Sequence, residues 1–403
     1  MKYLILGAGP AGLTFANRLK QLGENSFLVL EAEKEAGGLC RSVEVAGKPL
    51  DIGGGHFLDI ENKEVNDFLF DFMPEAEWNL FERNSKIDLR ENVINSPIEA
   101  NIWQLDLETQ VEYLKSIAVA GCNLGTPLPE KFIDWIYWKL GSKIAEVYML
   151  PYNKKMFANE LNELGTYWLN KLPNVSFEDT LMSCLKHQAF GSQPAHARFY
   201  YPKEFGYGEI WLRMAQEIAD NLFYNHKVNY IDFDNMIVKT EDGDEFCAEN
   251  IITTIPWTVF EEIVGMPEEL VNKIPMLKAS SIEIRYFDTN LDTDAHWIYC
   301  PDETLPYHRI LVRHNFCPNS KGYWTESRVE RTGMFSDEAV YKYVNPYAYP
   351  LNTIEKPGIV YSLLSYGRER HVYGLGRWGE HEHYNSDVVV ARALHMAEQL
   401  LNK

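Results

Sequence analysis

The sequence predicts an α/β fold in which a Rossmann-type domain carries a helical insertion and an antiparallel β-sheet domain. Three observations predict it. An apolar strand at the N-terminus runs directly into a glycine turn and a helix, and a second apolar strand ends in an acid. A long middle stretch repeats its apolar residues at helical spacing, and the segments after about residue 277 carry strand-like text.

The first element is the most sharply defined. Leu4-Ile5-Leu6 leads into Gly7-Ala8-Gly9-Pro10-Ala11-Gly12-Leu13, and Phe27-Leu28-Val29-Leu30 ends at Glu31, 24 positions beyond Gly7. Gly7 suits a tight turn, Gly9 lets a pyrophosphate approach the backbone, and Gly12 lets the helix lie against the strand. The helix N-terminus at Pro10 and Ala11 favours phosphate charge, and Glu31 suits ribose hydroxyls. A second small-residue turn follows, Gly37-Gly38-Leu39-Cys40-Arg41, and then Gly53-Gly54-Gly55-His56. Paired glycines just after the ribose acid resemble the flavoprotein superfamily of amine oxidases, protoporphyrinogen oxidases and UDP-galactopyranose mutases. The resemblance implies FAD rather than NAD, held by Gly7, Gly9, Pro10, Ala11, Gly12, Glu31, Gly38, Leu39, Arg41, Gly54, Gly55 and His56.

The remaining elements follow in order. Residues 62–185 are expected to be mainly helical, for example at 63–72, 107–120 and 132–140, with a turn at Asn95-Ser96-Pro97-Ile98. Residues 199–221 suggest an extended piece, a glycine loop and a helix. Residues 228–255 alternate like a hairpin turning at 241–244. Strands are expected at 281–287, 295–299, 309–313 and 358–364, then a glycine loop and a final helix at 388–401. The resulting division is a discontinuous FAD-binding domain (1–60, 196–265 and 356–403), a mainly helical domain (61–195) and a β-rich substrate-binding domain (266–355). Gly374-Leu375-Gly376-Arg377-Trp378-Gly379 also matches GxGxxG, but the 24 residues after it are too few for a second βαβ unit. It is better explained as a loop feeding the last helix, with Gly376, Arg377, Asn385 and Asp387 along the same cofactor.

Composition limits the partners. A net charge of −20 argues against nucleic acid and against an anionic membrane surface. Six cysteines without CxxC spacing suggest reduced thiols. No leader pattern opens the chain and no apolar run approaches a membrane span, so the expected location is cytoplasmic. A homo-oligomer is compatible with all of this.

Several ordered segments narrow the resemblance. Pro151-Tyr152-Asn153-Lys154-Lys155-Met156-Phe157, Trp168, and Tyr201-Pro202-Lys203-Glu204-Phe205-Gly206-Tyr207-Gly208 are similar to UDP-galactopyranose mutase elements. So are Trp297-Ile298-Tyr299, Pro306-Tyr307-His308-Arg309, Ala348-Tyr349-Pro350 and the Gly376 loop. The resemblance implies an FAD enzyme, active with reduced flavin, that interconverts pyranose and furanose forms of a nucleotide sugar for cell-surface polysaccharide synthesis. Flavin N5 attacks the anomeric carbon in that reaction. With no second dinucleotide fold, NAD(P)H as external reductant would dock at the flavin face. The implied catalytic residues are His56 and Arg309. The implied substrate residues are Tyr152, Asn153, Trp168, Tyr299, Arg309, Tyr349, His383 and Tyr384.

The chain also departs from the pattern. His383 falls where the family has a diphosphate-binding tyrosine, Tyr384 stands beside it, and Lys171 follows Trp168 where an arginine is usual. A net oxidoreductase of the protoporphyrinogen or amine oxidase type is therefore the alternative. Taken as residues alone, Tyr299 and Tyr349 also suit a core, Arg309 a structural ion pair, and His56 a satisfied loop histidine. His381 and His383 would share a strand face, but no third ligand stands out, and no metal is expected.

Overall fold

The computed structural model describes residues 1–169, 172–191, 197–336 and 338–402. Its parallel sheet has the order Leu222–Phe223, Phe27–Leu30, Tyr3–Leu6, Asn250–Thr253, Val372–Gly374. Tyr3–Leu6 and Phe27–Leu30 are buried throughout, as their unbroken apolar text requires of strands covered on both faces. Helices Pro10–Gln21 and Ser386–Leu401 share one core, with Leu13, Phe15 and Leu19 meeting Val390, Leu394 and Ala397. The sheet thus collects strands from three separated pieces of chain.

Residues 358–364 are not a strand. They lie in the helix Lys356–Arg368, where Pro357 occupies the first turn and buried Ile359, Leu363 and Gly367 recur every fourth residue. Ile359-Val360 imitates a strand locally, but the helical face joins Val372 in a shared core and decides the conformation. Residues 228–255 form more than one hairpin. Glu245–Cys247, Ile237–Thr240, Val228–Asp232 and Glu262–Val264 make a four-stranded sheet, and the turn at 241–244 joins two of them. Asn250–Thr253 leaves for the parallel sheet.

The large sheet has the order Tyr341–Pro350, Ala279–Phe287, Tyr323–Arg328, Arg309–Leu311, Trp297–Tyr299, Ser85–Asp88, Val93–Asn95. It is antiparallel except where Trp297–Tyr299 runs parallel to Ser85–Asp88. Ser85–Asp88, Val93–Asn95 and Trp78–Glu82 fall inside the stretch expected to be helical. They are three to five residues long, and Trp78–Glu82 pairs with Arg198–Pro202, far along the chain. Strands this short, specified by distant partners, leave little local pattern. The helices Leu107–Ala118, Phe132–Ile144, Leu150–Phe157 and Phe177–Lys186 form their own core around Phe132, Ile136 and Leu140. Lys171 lies outside the described residues. Among the described residues no helix is long and apolar enough to cross a membrane.

Candidate cofactor and ligand site

The fingerprint turn forms half of a bare cradle. A Cβ on Gly12 would collide with the carbonyl of Gly7, so only glycine lets the helix close on its own turn. Across from it, Gly38 has φ +53°, and a Cβ there would come 3.2 Å from the Cα of Gly9. Two backbone segments therefore face each other without side chains, beside a helix start that holds no acid in its first turn. This shape suits a pyrophosphate. Glu31 is buried; its Oε2 accepts from the Ala8 N–H at 2.7 Å and its Oε1 from the Glu33 N–H at 2.9 Å. Arg41 donates to the Gly38 carbonyl at 3.0 Å and to the Tyr343 hydroxyl at 2.8 Å, bracing the second turn.

The second part is a cavity of about 250 Å³. The loop after Asp51, the large sheet, the helix Leu150–Phe157 and the start of Ser386–Leu401 converge on it. It brings together Gly55, His56, Tyr299, Arg309, Tyr349, Arg377, His383 and Asn385, all expected from sequence. A wider open groove beside Trp138 and Lys143 gathers no such convergent set.

Arg309 opposes Glu326 across two strands. Its Nε donates to Oε2 of Glu326 at 2.8 Å, its Nη2 donates to the same oxygen, and Nη2 also lies 3.4 Å from the Tyr349 hydroxyl. Glu326 Oε1 accepts from the Gly55 N–H at 3.1 Å. Burial alone would raise the Glu326 carboxyl, but the Arg309 charge and the neighbouring His308 overcome that and hold it at about 2. Arg309 therefore has the structural ion pair, and still borders the cavity.

His56 is driven down to about 4, first by burial and then by the Arg377 guanidinium. The ring is neutral near pH 7. Its Nδ1 lies 3.2 Å from the Gly54 carbonyl, an obligate acceptor, so Nδ1 carries the hydrogen and Nε2 is left as an acceptor. Tyr299 receives two hydrogen bonds at its hydroxyl oxygen, from Arg83 Nη2 and Trp297 Nε1, each at 3.1 Å. Tyr349 stacks obliquely on His383, with ring centroids 4.8 Å apart.

A family model described as an NAD(P)-binding Rossmann-like domain matches residues 5–72. A solved structure of a reduced UDP-galactopyranose mutase superposes with TM-score 0.89 at 22% identity, over 100% of this chain and 95% of that one. The fold is that of UDP-galactopyranose mutase. A candidate protoporphyrinogen oxidase from Exiguobacterium sp. 255-15 gives TM-score 0.70 at 13% identity, over 100% and 99% of the two chains. A putrescine oxidase bound to putrescine gives 0.64 at 15%, again over 100% and 99%.

Within the mutase fold, several expected residues stand apart from the cavity. Trp168 donates to the Gly165 carbonyl at 2.7 Å and packs on Phe132, with centroids 4.8 Å apart. Asn153 is buried and bonds back to the carbonyl of Met149, the residue just before its helix. Tyr384 faces Arg392, so His383, and not Tyr384, takes the cavity position. Tyr152 is one layer removed, edge-on to Tyr299 at 5.5 Å. Arg377 gives Nε and Nη2 to the Tyr384 carbonyl and Nη1 to the Ala348 carbonyl, which fixes the glycine loop. Asp387 lies in the first turn of the last helix. His381 is buried against the Lys278 carbonyl, and among the described residues no three metal-ligating groups cluster.

Arg83, Trp297 and Glu326 were not selected from sequence. Arg83 lies between two short strands hidden in apparently helical text, and Glu326 belongs to no motif. Trp297 lies in the Trp297-Ile298-Tyr299 segment, but its role depends on the hydrogen bond its indole makes to Tyr299.

Proposed function

We propose that the chain binds FAD and is a nucleotide-sugar mutase that exchanges pyranose and furanose rings. The observation that carries this proposal is the grouping of Arg309, Tyr299 and Tyr349 at one cavity, in a chain whose net charge is −20. A local cluster of cation and hydroxyl donors against an acidic background suits an anionic ligand. The higher similarity to the mutase than to the two oxidases favours the same choice.

The Gly9–Gly38 cradle, Glu31 and the start of helix Pro10–Gln21 would hold FAD. When bound and reduced, FAD supplies the nucleophile for the anomeric carbon. The chain's own residues would bind and orient the sugar nucleotide. Arg309 and the hydroxyls of Tyr299 and Tyr349 stabilise the departing and returning diphosphate, each charge-assisted bond contributing about 1.5–3 kcal/mol. His56 Nε2 can accept a proton from a sugar hydroxyl during ring closure. Phe57, Met156 and Leu311 make an apolar wall that limits water.

Anaerobic incubation of the FAD-loaded protein with a panel of nucleotide sugars tests this, with flavin oxidised or pre-reduced. A same-mass isomer formed only with reduced flavin is expected. Bleaching of oxidised flavin, with a product lighter by one pair of hydrogens, would establish an oxidoreductase instead.

A further inference from the structure

His308 has no role so far. It precedes Arg309, is 1% exposed, and neither ring nitrogen has a hydrogen-bond partner. Buried polar groups without partners are uncommon and call for a cause. Nε2 stands 3.7 Å from Oε2 of Glu326, the oxygen that receives Nε and Nη2 of Arg309. Glu326 faces the imidazole from the neighbouring strand and Arg309 from its own. From helix Leu150–Phe157 come Lys155, whose charge reaches it, and Tyr152, edge-on at 5.9 Å. Burial, Arg309 and Lys155 disfavour a proton on His308, and Glu326 favours one. With Arg309 closed on Glu326, burial prevails and the ring is neutral.

Glu326 thus has two candidate cations at one oxygen. Arg309 Nη2 also reaches toward the Tyr349 hydroxyl, where a diphosphate would be bound. An anion there draws the guanidinium away and leaves a buried carboxylate short of a donor, which is costly. We infer that His308 takes up a proton when the diphosphate binds and closes on Glu326 Oε2, freeing Arg309 for the ligand, an assignment that rests on the diphosphate role of Arg309. The proton comes from solvent, resides on Nε2, and returns to solvent when the ligand leaves. His308 is a positioning residue: it acts through Glu326 and Arg309 and does not touch substrate.

Binding linked to proton uptake tightens as pH falls. The test is calorimetric titration of FAD-loaded protein with UDP-, dTDP- and GDP-hexoses, whose diphosphate diesters do not titrate near neutrality. Two buffers of unlike ionisation enthalpy are used at each pH, from about 6 to about 8. The wild type should take up close to one proton per ligand at the acid end, with affinity rising up to about tenfold per pH unit. Uptake should vanish in His308→Gln and in Glu326→Gln, and persist in His56→Gln. Binding without uptake in the wild type would overturn the inference, and so would uptake that survives His308→Gln or is lost in His56→Gln. Should His308→Gln fail to fold, the wild-type pH series and Glu326→Gln still decide. If none of the hexose nucleotides binds, the diphosphate reading itself fails.

Discussion

The indole N–H of Trp297 donates to the hydroxyl oxygen of Tyr299 at 3.1 Å. Arg83 donates to the same oxygen, and neither partner can accept. The hydroxyl hydrogen of Tyr299 is therefore left to donate elsewhere, and the phenol is an obligate donor.

Trp297→Phe keeps most of the ring and removes that N–H, so diphosphate affinity should fall about threefold to tenfold. Tyr299→Phe should cost at least as much. The double variant should bind no worse than Tyr299→Phe alone, because the indole acts through the phenol. Titration of the four proteins with one nucleotide sugar checks this, and additive losses would show two independent contributions.

Arg309→Ala removes the guanidinium from a buried carboxylate. Loss of that partner should cost about 3–5 kcal/mol of folding stability at alkaline pH, less at acid pH, where a protonated His308 can take Glu326 Oε2, and abolish nucleotide-sugar binding, with FAD retained. Arg309→Ala combined with Glu326→Gln should recover part of the stability and none of the binding. Urea unfolding read beside flavin absorbance separates the two effects.

The cofactor cradle depends on Gly38. Its φ of +53° and the 3.2 Å approach of a Cβ to Gly9 predict that Gly38→Ala folds but is purified with less FAD. Added FAD should restore colour only at raised concentration. Full retention of FAD would show that the pyrophosphate does not lie along the Gly9–Gly38 contact.

Stability should fall on mild acidification. His56, His296 and His381 are each lowered from 6.5 to about 4, chiefly by burial. A folded pKa below the unfolded one gives stability that is complete above pH 6.5 and lost as pH falls toward 4. Asp51 works against this. Burial raises it to about 6, so its contribution is present below its unfolded value of 3.8 and lost as pH rises through 6. His308 is lowered as well, and burial also raises Glu31 and Glu99; four histidines against three carboxyls predict a net loss, read as a falling urea midpoint between pH 6.5 and 4. A midpoint that stays level would mean that the histidines titrate normally.

The nucleotide end of this protein was legible in the sequence because its geometry is local. Gly7, Gly9, Gly12 and Glu31 belong to one strand–turn–helix–strand unit, and their spacing alone fixes where they meet. Tyr299 and Arg309 were implied by family resemblance, and it is the structure that makes them direct cross-strand partners. What the tertiary structure decided are encounters across long loops. Arg83 reaches Tyr299, and Gly55 reaches Glu326, only because sheets assemble from distant strands. The same assembly keeps Trp168 and Asn153 in the helical part and points His383, rather than Tyr384, at the cavity. Residues 358–364 became helical because their buried face is four-periodic and has the edge strand Val372–Gly374 to cover. Backbone period and turn chemistry act over a few residues and can be read in order; side-chain partners chosen by packing cannot.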